Sequence, residues 1–305
     1  MQTLPNLTGL RFFLAVLVVL FHVPQFCQNR GFPFFYDLPV FQKGTEAVYM
    51  FFSLSGFLII RQLYLEKAFQ KTINLKAFFI RRALRILPLY YLVLTVGFLY
   101  YRVVLPHLGY PQEYSYELLT GILLSVTIFP NIFFTYYPGG VLEILWSIGV
   151  EEQFYILFAP LLFVLPLNRI KPFLLLFTVG YMVVYFAGGT NFLRDYQMLF
   201  FYFSFSGLCS VLFLKEGLAG RMKAFKLPIF VLILLYFSTN LFIDYLPEVV
   251  YHLAGMLLFG LGISLLAQKP IGIFENKHLV YLGKISYGIY MLHPIVKQVV
   301  GFLFL

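Results

Sequence analysis

The sequence predicts an all-α fold, a polytopic transmembrane helix bundle, and three observations carry that prediction. Of the 305 residues, 61% are hydrophobic and only 11% are charged, with a mean hydropathy of +0.85. An ordinary globular domain carries about a quarter charged residues. The apolar residues also fall in runs of about 20, the length a helix needs to cross the hydrocarbon core. Finally, the 22 Lys and Arg residues gather at the ends of those runs, as the positive-inside rule requires. The net charge of +9 is therefore read as membrane topology with some attraction to anionic headgroups, not as nucleic-acid binding. The spans use up the chain, so residues 1–305 are read as a single domain.

Ten apolar runs follow one another: 8–26, 46–64, 86–105, 117–134, 141–166, 172–188, 197–214, 227–243, 249–267 and 285–305. No small-residue cleavage site follows the core of the first run, so it is read as a retained helix and not a signal peptide. The second run holds Ser53, Ser55 and Gly56, small residues that favour close helix packing. Between the second and third runs, residues 61–85 form the largest predicted loop and carry seven of the 22 Lys and Arg. The centre of that loop mixes apolar and basic residues as a helix lying on the inner membrane face would. Pro88 then suits the first turn of the third span. In the fourth run, Pro130 and Asn131 followed by Tyr137-Pro-Gly-Gly140 predict a broken, re-entrant element.

Charge tests that reading. If all ten runs cross and the N-terminus is cytoplasmic, the 22 cations divide 10 inside and 12 outside, with no bias. If 117–134 returns to its own side, only Arg30, Lys43, Arg102, Arg194 and Lys297 of the 22 stay outside, a normal distribution. The second topology is preferred: about nine to ten spans with one re-entrant element, in the cell's inner (plasma) membrane. Nine crossings place Leu305 outside, which leaves two readings open: a last returning helix is missing, or the protein ends there. Cys27 and Cys209 support neither a disulfide nor a zinc site. No cluster has metal-ligand spacing, and there is no Walker A loop, dinucleotide fingerprint or nucleophile elbow. No 20–50-residue repeat supports a transporter built from inverted halves.

Chemistry is concentrated in a few ionisable residues inside apolar runs. Arg11 and His22 are eleven residues apart, so they share nearly one helix face and are separated by roughly 16 Å of rise. An imidazole about two thirds of the way through a span is a candidate general base. Arg82 and Arg85, three apart on one face, offer two guanidinium forks suited to phosphate. Glu151 and Glu152 are adjacent and point about 100° apart, so they should have different partners, His22 or an arginine among them. Ser53, Ser55 and Tyr287 are candidate oxyanion donors, and His293-Pro294 is either a kinked, cavity-lining element or a helix break.

Together these segments resemble the acyltransferase 3 family of integral membrane acyltransferases. The resemblance runs in order through Leu7-Thr-Gly-Leu-Arg11 with ten residues to His22, then Phe51-Phe-Ser-Leu-Ser-Gly-Phe-Leu58 and Arg81-Arg-Ala-Leu-Arg-Ile-Leu-Pro88. It continues through Trp146 to Tyr155 and Ile285-Ser-Tyr-Gly-Ile-Tyr-Met-Leu-His293. It implies transfer of an acyl group, most often acetyl, from cytoplasmic acyl-CoA to a hydroxyl of an extracytoplasmic or lipid-linked carbohydrate. Arg11 and His22 carry the family's catalytic signature, and Arg82 and Arg85 its Arg-x-x-Arg motif. Thr8 stands where the family usually has Asp, which removes an N-terminal carboxylate role but leaves the pair intact. Arg11, Arg82 and Arg85 would hold the CoA phosphates, and Glu151 or Glu152 would orient the imidazole. The rival readings are a glycan or lipid exporter using the same polar path and a non-catalytic relative acting as an assembly partner.

Overall fold

The computed structural model describes residues 4–110, 113–189, 191–214 and 216–303, so the placement of Leu305 lies outside the described residues. Those residues form helices and connections, with no strand among them. The principal helices are α1 (Leu7–Asn29), α2 (Gly44–Gln70), α3 (Leu75–Leu99), α4 (Leu118–Val126), α5 (Pro130–Phe134) and α6 (Leu145–Val164). They continue as α7 (Leu167–Phe186), α8 (Phe200–Leu212), α9 (Lys226–Ser238), α10 (Glu248–Leu266), α11 (Lys277–Lys284) and α12 (Ser286–Leu303).

Among the described residues, six helical stretches are long and apolar enough to cross a membrane: α1, α2, α3 with its extension to His107, Gly140–Val164, α7 and α10. The expected nine to ten spans shrink to six by this measure for identifiable reasons. Helices α8 and α9 have 13 residues each, about 20 Å of rise. The 18 residues of α12 include His293 and Lys297. The fourth run is broken outright.

That break has the predicted form. The nine residues of α4 rise about 14 Å, less than half of the ≈ 30 Å hydrocarbon core. The chain turns at Ile128, whose φ of 63° is left-handed, and α5 carries it back. The two ends meet, because the Ser115 hydroxyl donates to the Tyr136 carbonyl. Inside the bundle the turn is received by α6. Gln153 Nε2 donates to the Ile128 carbonyl at 2.9 Å and to Asn131 Oδ1 at 2.7 Å. Gly149 has no Cβ because one would sit 2.5 Å from the Pro130 ring.

The predicted loop over 61–85 is corrected by the structure. Helix α2 continues to Gln70, a turn follows in which Lys71 is left-handed (φ 64°), and α3 starts at Leu75. Asn74 caps α3 by accepting from the Ala77 N–H at 2.9 Å. Pro88 therefore lies inside α3, not in its first turn. A proline there costs about 3 kcal/mol. Close packing of Phe78, Ile86, Tyr90, Val93 and Leu94 along one stripe holds the helix in place across it.

Helix α8 forms the core of the bundle, with almost every residue from Phe200 to Val211 buried. It lies against α2 at backbone distance: a Cβ on Gly56 would stand 2.2 Å from the Phe203 carbonyl oxygen. Lys67, near the end of α2, donates to the carbonyls of Leu162 (2.8 Å), Phe163 (2.7 Å) and Leu165 as α6 finishes. These contacts set the register of α2 and α6. Arg11 thus shares one end of the bundle with Arg82 and Lys67, while His22 shares the other with the start of α2, where Gly44 packs against Phe21. The start of α1 is pinned by Asn6, whose Nδ2 donates to the Leu266 and Lys269 carbonyls at 2.6 and 2.7 Å.

Candidate active site

Four helices bring the basic residues together at one end. A narrow cavity of ≈ 100 Å³ is lined by Arg11 from α1, Ser55 from α2, Arg82 and Arg85 from α3, and Glu151 and Tyr155 from α6. The start of α12 adds Tyr287. Arg82 and Arg85 face it together because three residues on a helix return to one side. Arg82 is half-buried, its guanidinium 5.5 Å from the Tyr155 ring centre, whereas Arg85 is exposed. Among the described residues the ion pairs are Lys43–Glu46 and Arg194–Glu248, so no carboxylate neutralises any of the three arginines by direct contact. Glu151 accepts instead from the hydroxyls of Ser55 and Tyr155. Three guanidinium groups against one carboxylate leave a cationic slot, chemically suited to a phosphate-bearing ligand.

His22 occupies a different chamber. It lines two adjoining cavities of ≈ 590 Å³ and ≈ 390 Å³, and Gln25 and Glu143 line both with it. The His22 ring stacks on His293 with centroids 5.2 Å apart. His293 Nδ1 lies 2.6 Å from the Tyr290 carbonyl and so carries the hydrogen, which leaves Nε2 with a lone pair, buried and without a hydrogen-bond partner. Lys297, one turn on, donates to the His22 carbonyl at 3.1 Å and lines the larger cavity. Between the arginine slot and the His22 chamber stand Val48 and Tyr290, which line both. Tyr290 is held there by bonds to Ser147 Oγ at 2.7 Å and to the Ile144 carbonyl at 3.0 Å.

The sequence-predicted residues therefore divide into groups. Arg11, Arg82, Arg85, Ser55, Glu151 and Tyr287 share the slot, while His22 lines the chamber and His293 stands behind it, stacked on its ring. Neither predicted carboxylate lines the His22 chamber. Glu152 faces a small recess beside Tyr90, Tyr91 and Gly149, and its Oε1 is buried without a hydrogen-bond partner. Ser53 is fully buried and lines none of these cavities; two residues from Ser55, it points about 200° away around α2. Tyr287 already donates its hydroxyl hydrogen to the Ile86 carbonyl at 3.0 Å. Glu143 and Lys297 were not singled out from the sequence. Their signal was present, since each is an ionisable residue inside an apolar run.

No solved structure matches the chain. Among curated proteins it is 28% identical to an open-reading-frame product of Acidianus two-tailed virus, named as a candidate acetyltransferase, over 91% of this chain and 84% of that protein. It is 27% identical to peptidoglycan O-acetyltransferase OatA of Listeria monocytogenes, over 96% of this chain and 49% of that protein. A candidate O-acetyltransferase of Staphylococcus aureus matches at 27% over 96% of this chain and 50% of its own length. The chain thus spans about half the length of the listerial and staphylococcal relatives. A family model described as an acyltransferase domain, Acyl_transf_3, matches residues 4–305, and the chain belongs to this acyltransferase 3 family.

Proposed function

We propose that the protein is a multi-pass membrane O-acyltransferase moving an acyl group, most simply acetyl, from acyl-CoA to a carbohydrate hydroxyl. The observation that carries this reading is the pairing on α1 of a cationic slot around Arg11 with a polar chamber around His22, roughly 16 Å of helix apart. The slot takes the phosphates through Arg11, Arg82 and Arg85. Its narrowness suits a linear pantetheine arm, and the wider chamber suits an acceptor. The excess of Lys and Arg at the Arg11 end supports a cytoplasmic donor side, and hence an acceptor outside the cytoplasm.

In this reading the thioester passes the partition at Val48 and Tyr290 and reaches His22. The neutral imidazole takes the proton of the acceptor hydroxyl as that oxygen bonds to the acyl carbon. The carbon–sulfur bond then breaks, and CoA leaves as thiolate, which recovers the proton from the imidazolium. The named relatives, O-acetyltransferases among them, support acetyl as the group transferred. The test is acetyl-CoA turnover in proteoliposomes together with mass spectrometry of surface glycans from cells with and without the gene. Loss of glycan O-acetyl groups in the absence of the protein, and in its His22→Ala form, is expected. Unchanged glycan acetylation in both overturns the reading, and glycan export without consumption of acetyl-CoA replaces it with the exporter.

A further inference from the structure

A third polar cavity, of ≈ 440 Å³, opens at the His22 end of the bundle where α2 and α10 begin. Its walls carry Thr45, Glu46, Tyr49, Glu248, Tyr251 and His252. Thr45 and Tyr49 line the His22 chamber as well, so the two spaces adjoin across one turn of α2. We propose that this cavity is a binding subsite for a neutral saccharide, holding the acceptor chain while one of its hydroxyls lies at His22.

Three features select that ligand. The first is aromatic surface: the Tyr49 and Tyr251 rings flank His252 with centroids 5.4 and 5.3 Å from it. Each tyrosine is held by stacking, Tyr49 on Tyr202 and Tyr251 on Tyr236, and side chains with an apolar body and a polar tip in the cavity wall match a pyranose, which has apolar C–H faces and a hydroxyl rim. The second is charge balance. Glu46 pairs with Lys43 at 3.3 Å and accepts the Tyr251 hydroxyl at 3.0 Å, and Glu248 pairs with Arg194 at 2.5 Å. With both carboxylates matched by a cation, the cavity has no excess charge to hold a phosphate or a uronate, unlike the arginine slot. The third is hydrogen-bonding capacity. Tyr202 hydroxyl lies 3.2 Å from His252 Nδ1, and with that nitrogen accepting, Nε2 carries a hydrogen to give. Gln42 adds an amide to the cavity wall, its Oε1 accepting from Asn240 Nδ2 at 3.2 Å.

The inference rests on the acyltransferase reading for its purpose, but its test is independent of turnover. Saturation-transfer NMR on the full chain in detergent micelles would use two neutral probes, chitotetraose and maltotetraose, and one anionic probe, a hyaluronan tetrasaccharide. Acetyl-CoA affinity of the same samples, by calorimetry, reports that the protein is folded and that the donor slot works. At least one neutral probe is expected to bind, and at least tenfold more tightly than the anionic one. His252→Ala is expected to weaken it at least tenfold, and the rim variant Glu248→Gln at least threefold, with acetyl-CoA affinity within twofold of wild type in both. The subsite is overturned if neither neutral probe binds a preparation that binds acetyl-CoA, if the anionic probe binds best, or if His252→Ala binds saccharide like wild type. Saccharide binding with no affinity for acetyl-CoA instead sustains the subsite and refutes the donor half of the proposed function.

Discussion

Replacing Arg85 by alanine is the cleanest probe of the cationic slot. Arg82 packs over Tyr155 and Phe78, so its removal would also disturb the contact between α3 and α6. Arg85 is exposed and has no ion-pair partner among the described residues, so its truncation removes charge and little packing. A hydrogen bond to a charged group contributes about 1.5–3 kcal/mol. Exposure to water places Arg85 at the lower end of that range, and about 1.4 kcal/mol is a tenfold change in Kd. Arg85→Ala should therefore weaken acetyl-CoA binding about tenfold by isothermal calorimetry in low salt. The difference should shrink toward 1 M salt, where the Debye length falls to about 3 Å. Lys277→Ala, an exposed cation at the same end but outside the cavity, should stay within twofold of wild type. Equal affinities for wild type and Arg85→Ala in low salt would refute the assignment of phosphate to this slot.

Three further outcomes follow from the geometry. His22→Ala should lower acyl transfer by about 10²–10⁴-fold while leaving acetyl-CoA affinity within twofold, and full turnover in the variant would exclude the imidazole as the base. Val48→Phe, which enlarges the partition between slot and chamber, should cut transfer more than tenfold without weakening donor binding; unchanged rates would mean that the acyl group takes another route. Gly56→Ala should destabilise the protein by about 1–3 kcal/mol, because the added methyl meets the Phe203 carbonyl at 2.2 Å. Gly180→Ala, where a Cβ meets nothing within 4 Å, is the matched control, and identical thermal midpoints for the two variants would deny the close approach of α2 and α8.

Much of this was legible in the sequence, because a membrane leaves few options. Apolar runs must be helices there, since no water satisfies the backbone. The break at Pro130 was visible for the same reason, as was the small-residue contact at Gly56. Residue spacing also placed Arg82 and Arg85 on one face, and the structure sets Arg11 beside them. What spacing cannot supply is the rotation of one helix against another. Glu151 and Glu152 were candidates to serve His22, yet the pitch of α6 turns one into the arginine slot and the other toward Tyr90 and Tyr91 on α3. The chamber's own carboxylate, Glu143, comes eight residues earlier, in the short turn Gly140–Glu143 that precedes α6. Helix ends were equally hidden. The stretch 61–85 read as a loop with a separate helix on the membrane face at its centre, whereas α2 runs on to Gln70 and the Asn74 cap and the buried Phe78 stripe start α3 a full three turns before Pro88.

The Lys67 ammonium has a consequence for how the chain is made. Its three carbonyl acceptors lie 95 to 98 residues further along the chain, at the end of α6. While α2 emerges from the ribosome those acceptors do not yet exist, and the ammonium must wait in the headgroup layer, where a snorkelling lysine is stable. Only after α3, the hairpin of α4 and α5, and α6 have been synthesised can it withdraw to its final partners. Locking α2 to α6 thus waits until the first half of the chain has been made, and the arginine slot, which needs both helices in register and Tyr287 from α12, cannot form before then.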